Sequence, residues 1–141
     1  MQKLKSTKAL AIVCFAGGIF DLGGAFYYSF LVGIGRSIES PTTHPFYAIL
    51  IASFLFCFAY LQLLSAFNMR RYLLIIGSVI LSRILYAVLL FAYMFFVPDF
   101  PTTFLPTAIL DLAWTTIYIV LTFMSDQVRF RDLFLPYLGD N

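Results

Sequence analysis

Four long apolar runs, 9–34, 46–67, 72–97 and 104–124, are set apart by short polar segments and dominate the pattern of this chain. A helix needs about 20 residues to cross a hydrocarbon core of roughly 30 Å, and each run is long enough. The pattern predicts an all-α fold: an integral membrane four-helix up-down bundle, with left-handed crossings near about 20°. Arg36 to Pro45 connects the first two runs, with Pro41 and Pro45 flanking Thr42, Thr43 and His44, and Pro98 to Thr103 connects the last two. Proline at these places stops helices and marks loops.

A second pattern overlies the first. Pro41-Thr42-Thr43 recurs as Pro101-Thr102-Thr103, and Ala48-Ile49-Leu50 recurs as Ala108-Ile109-Leu110, sixty residues later. A duplicated helical hairpin would place the second and fourth helices in equivalent positions. Outside this block the aligned residues agree little better than chance, so independent loops remain the other reading.

Composition strengthens the membrane assignment. Of 141 residues, 62% are hydrophobic and 11% charged, and the mean hydropathy is +0.93, outside the range of soluble globular domains. The chain reads as one transmembrane domain, 1–141, with a lipid bilayer as its solvent. Lys3, Lys5 and Lys8 before the first helix resemble the start of a signal peptide, but the following run is too long and lacks an A-x-A site, so a retained span is expected. Those lysines, Arg70 and Arg71 between helices two and three, and Arg129 and Arg131 after helix four fall on one side. By the positive-inside rule both termini are cytoplasmic. The bias argues against a dual-topology, antiparallel dimer.

The formal charge of +2 follows from that topology and carries no basic patch with interleaved aromatics, so no nucleic-acid partner is expected. Cys14 and Cys57 lie within predicted spans, too far apart for a CxxC redox or zinc pattern, and read as small packing residues. His44 is the sole histidine, which disfavours bis-imidazole haem ligation and any Ser-His-Asp set. No HExxH or phosphate-binding Gly-rich loop occurs. No cofactor and no metal are expected.

Candidate chemistry lies in Asp21, Arg83 and Asp111, three charges inside otherwise apolar spans. Each costs about 2.5–3.5 kcal/mol in hydrocarbon on insertion scales, so a bundle keeps them facing partners, water or a ligand. Helical rise puts Asp21 and Arg83 at nearly the same depth, with Asp111 within reach of a long Arg side chain. Arg stays protonated and needs an anion. Two acids and one base leave one negative charge over: if all three meet, one carboxyl holds a proton or competes with water, a cation or a cationic ligand for that position.

Thr107, Asp111, Trp114, Thr115 and Tyr118 share a face of helix four by i, i+3, i+4 spacing; Ser78, Ser82 and Tyr86 surround Arg83; Gly17, Gly24 and Tyr28 share the Asp21 side. Asp21, Arg83, Asp111, Tyr86, Trp114 and Tyr118 are therefore the candidate binding residues. A polar-lined cavity and interhelical hydrogen bonding that sets register explain these positions equally well. Gln62 reads as helix glue. The tail 125–141 alternates charge with Val128, Phe130, Leu133, Phe134, Leu135 and Tyr137, as an amphipathic segment on the membrane surface or one that docks a partner protein would.

Ser82-Arg83-Ile84-Leu85, Leu110-Asp111-Leu112 and the Arg70-Arg71 loop give the chain a resemblance to small bacterial four-helix membrane proteins of the broad DoxX-like kind. That resemblance implies a four-helix bundle and, since many such proteins have no assigned activity, no particular reaction; Asp21 matches no pattern in it. The expected function is a binding or accessory protein that holds a small amphiphile, lipid head group or partner subunit, as a homo-oligomer or within a larger membrane complex. An oligomeric proton-coupled transporter using Asp21 or Asp111 is the alternative. No nucleophile or metal set supports an enzyme.

Overall fold

The computed structural model describes residues 3–34, 45–69, 71–100, 102–125 and 128–135. The loop bearing Arg36, His44 and Pro41-Thr42-Thr43, the residue Arg70, and the end of the tail with Tyr137 lie outside them. Among the described residues the fold is all-helical. Helix α1, Lys3–Phe26, continues as a π-helical run, Tyr27–Ile34; α2 is Pro45–Phe67, α3 is Leu73–Phe96, and α4 is Leu105–Phe123. Short 3₁₀ turns, Thr102–Phe104 and Phe130–Leu133, precede and follow α4. Four spans, Thr7–Phe30, Tyr47–Phe67, Leu73–Phe96 and Leu105–Phe123, are long and apolar enough to cross a membrane.

Helix α1 differs from the sequence expectation at both ends. It starts six residues before Ala9, at Lys3, so the helix extends N-terminal to the apolar run. Its C-terminal part, Tyr27–Ile34, is wound as a π-helix, separated from Gly23 and Gly24 by Ala25 and Phe26. Asp99 turns the α3–α4 connection at φ 59°, a left-handed conformation that Asp tolerates better than most residues.

Two helix pairs make the bundle: α1 packs most extensively on α2, and α3 on α4. Small residues bring the helices together, as expected where no hydrophobic drive separates protein from lipid. A Cβ on Gly18 would lie 3.0 Å from the Ala59 carbonyl of α2, and Ala87 of α3 and Ala108 of α4 are both buried in one cluster with Leu90. Outward positions carry exposed Phe, Leu and Ile, including Ile12, Phe67, Phe95 and Phe123, the arrangement of a surface solvated by acyl chains.

The larger core joins the N-terminal parts of α1 and α3 to the C-terminal part of α4. Leu10, Cys14, Ile76, Val79, Ile80 and Tyr118 meet there, and the tail closes over them with Val128 and Leu133, both buried. Gly77 of α3 makes room for that closure, since a Cβ at this position would overlap the Leu133 carbonyl, 1.8 Å away. Thr7 and Ser125 hydroxyls, 2.8 Å apart, tie the start of α1 to the end of α4. The described part of the tail is thus folded against its own bundle, while Phe130, Phe134 and Leu135 stay on the surface.

Candidate functional site

Asp21, Arg83 and Asp111 come from α1, α3 and α4 and meet. Arg83 Nη2 donates to Asp21 Oδ1 and Oδ2 at 2.9 and 2.8 Å, and Nη1 donates to Asp111 Oδ1. A planar guanidinium presents its donors as a fork, which lets one side chain bridge two helices. Asp21 and Arg83 are buried, at 5% and 8% exposure. Asp111 is the open member, its side chain 19% exposed. No described residue donates to its second oxygen.

The charge triad is held from α2 by Gln62, the residue read from the sequence as helix glue. Gln62 Nε2 donates to Asp21 Oδ2 at 2.5 Å, and its Oε1 accepts from the Tyr118 hydroxyl at 2.8 Å. All four helices therefore contribute to one hydrogen-bonded chain, Tyr118–Gln62–Asp21–Arg83–Asp111. Gly17 supplies the space: a Cβ there would lie 2.5 Å from Gln62 Oε1, 2.6 Å from the Tyr118 hydroxyl and 2.9 Å from Trp114 Nε1. Gln62 was legible only as a polar residue in an apolar span, a signal it shares with serines that serve their own backbone.

Above the triad lies a cavity of about 570 Å³, bounded by the C-terminal halves of α1 and α3 and the N-terminal halves of α2 and α4. Asp21, Arg83 and Asp111 form its polar floor, and its walls are mostly apolar, with Phe54, Leu55, Phe58, Phe100 and Phe104 among them. Tyr86 lines it too, its hydroxyl 2.8 Å from Thr107 Oγ1, and Tyr28 stands on the π-helical segment. Ser82 reaches the lining but donates to Val79 of its own helix, and Ser78, exposed, donates to the Leu74 carbonyl.

Trp114 and Tyr118 do not line this space. Tyr118 is fully buried in the core beneath the triad, and Trp114 stacks on Phe20, ring centroids 6.2 Å apart, with its Nε1 turned into the protein. Of the six candidate residues, four face the cavity and these two support its floor. Three buried polar atoms among the described residues have no hydrogen-bond partner: Arg83 Nε, Trp114 Nε1 and Thr115 Oγ1.

The geometry defines a class: a multi-pass helical membrane bundle with an ion-paired triad beneath an apolar cavity. Comparison with protein-family models, with curated proteins and with solved structures found no match to this chain.

Proposed function

We propose that this protein is a non-enzymatic membrane binding or accessory protein whose cavity takes a small amphiphile or lipid head group, polar end down on Asp21, Arg83 and Asp111. The observation that carries this reading is the ion-paired floor under apolar walls, within a volume in the range of about 300–1,000 Å³ usual for small-ligand pockets. A buried ion pair is weak support for stability, since hydrophobic replacements often do as well. Its retention in a membrane span is better explained by what it holds.

The proposal places the chain as an up-down bundle of the broad DoxX-like kind in a bacterial inner membrane, both termini cytoplasmic, with the cavity toward the outer face. Lys8, Arg71, Arg129 and Arg131 support this orientation. Exposed aromatic faces on all four helices are compatible with a homo-oligomer or a larger complex. The partial exposure of Asp111 toward the cavity favours a second reading, proton-coupled transport with Asp111 exchanging a proton for substrate. Closure of the opposite end by Val128 and Leu133 favours one-sided binding instead.

Binding of a single-chain amphiphile to protein in nanodiscs, corrected with empty discs, tests the first reading. Saturable one-to-one binding is expected, and Leu110→Trp, which fills the cavity wall, lowers it by about tenfold, some 1.4 kcal/mol. Absence of a saturable component would sink the proposal. Uptake of the same compound by proteoliposomes under an imposed proton gradient, lost in Asp111→Asn, would favour the transporter.

A further inference from the structure

We infer that the cavity selects a singly charged cationic amphiphile with one apolar chain; this rests on the binding role proposed above and specifies its ligand. Three observations lead there.

The floor sets two carboxyl groups against one guanidinium, so with both acids ionised it carries a net charge of minus one between walls of Phe and Leu. A cationic head group completes the balance. An anionic one doubles the excess and has to displace a carboxylate from Arg83, whose Nη atoms are already engaged by Asp21 and Asp111. The attraction in such a site exceeds its value in water because less solvent screens it.

The excess is also localised. Asp21 accepts from both Arg83 and Gln62 and is sealed at 5% exposure. Asp111 receives one hydrogen bond from Arg83, keeps its other oxygen without a described donor, and is the triad member most open to the cavity. A cation entering the cavity therefore meets Asp111 first. Arg83, its side chain only 9% exposed, lies behind the two carboxyl groups with both Nη atoms engaged, so an entering head group meets a carboxyl group and not the guanidinium. The rings of Phe20, Phe100, Phe104 and Tyr86 line the approach and offer π faces to an ammonium group.

Size sets the remaining limit. A cavity of about 570 Å³ is suited to one small molecule and not to a two-chain lipid, so the ligand is a single-chain or compact cation.

The test uses full-length protein in phosphatidylcholine nanodiscs, with radiolabelled decyltrimethylammonium as probe and decanol, decanoate and a two-chain trimethylammonium lipid as competitors. The expected result is one saturable site, with decanol and decanoate weaker by about tenfold or more and the two-chain cation without effect. Asp111→Asn should weaken the cation by about tenfold while leaving decanol within about twofold, and Asp111→Glu should restore it. Equal competition by all three decyl heads overturns the charge selection and leaves the amphiphile cavity standing. Competition by the two-chain lipid overturns the single-chain limit. No saturable binding of any decyl compound removes both the inference and the binding role beneath it. Should Asp111→Asn fail to fold, the head-group series on wild type and Asp111→Glu decides.

Discussion

Arg83 holds its place by chemistry no other side chain shares: permanently charged and forked, it engages carboxylates on two other helices at once. Removing one carboxylate leaves a buried cation underpaired, which typically costs about 3–5 kcal/mol. Asp21→Asn is therefore expected to lower the thermal stability of detergent-purified protein strongly. Asp111→Asn should cost less, because Asp111 is more exposed and a water or ligand in the cavity takes its place. Equal melting temperatures for the two variants would contradict the asymmetry between sealed and open acid. Gln62→Leu leaves the Tyr118 hydroxyl with its longer, 3.4 Å, bond to the Val13 carbonyl and takes one hydrogen bond from Asp21, so a loss of about 1–3 kcal/mol is expected in the same assay. Other polar residues in the spans behave differently: Ser53, Ser65, Ser78, Thr116 and Thr122 each donate to the carbonyl four residues back and satisfy themselves within their own helix. Glutamine has a longer reach and both a donor and an acceptor, and Gln62 uses both between helices.

At the scale of elements, the helices follow from the apolar runs to within a few residues at most ends, because in hydrocarbon a backbone must satisfy its own hydrogen bonds. Two elements were not legible. The π-helical winding of Tyr27–Ile34 leaves no mark in composition, whereas Tyr28 at its start lines the cavity on the Asp21 side, where helical spacing had put it. The tail alternates polar and apolar residues as a surface helix would, yet its described part folds onto α3 through a single small position. Gly77→Ala would place a methyl group against the Leu133 carbonyl, so it should expel the segment. Faster amide exchange at Asp132, Phe134 and Leu135, whose N–H groups donate to Arg129 and Arg131 carbonyls, is the expected readout. Unchanged exchange would mean that α3 shifts to accommodate the methyl and that the tail is not held by this contact.

For the whole molecule, the unequal ends of the bundle matter most. One end is packed with Leu10, Ile76, Ile80, Tyr118, Val128 and Leu133; the other parts around a cavity that stops at the triad. A polar site reached from one side suits capture from that side. On the proposed orientation, a reporter fused after Asn141 should be active only in its cytoplasmic form, and a periplasm-active fusion would reverse the cavity's direction. Truncation before Val128 should open the packed end: if transport of an amphiphile appears only in that variant, the tail is a plug, and if binding and stability are unchanged, the closure has no such role.

Composition and periodicity by themselves determined that the chain forms four helices able to cross a membrane, and that its chemistry concentrates in Asp21, Arg83 and Asp111. Both follow from one-dimensional rules: hydrocarbon needs a set length of apolar helix, and an ionised group within it needs a partner at its own depth. Tertiary structure alone decided which acid is sealed and which is open, that Gln62 bridges Asp21 to Tyr118, that Trp114 and Tyr118 lie beneath the cavity, and that the tail closes one end. Those outcomes depend on helix rotation and on close approach at single small residues. Neither is encoded in the hydropathy of any one segment; each arises only when the faces of different helices meet.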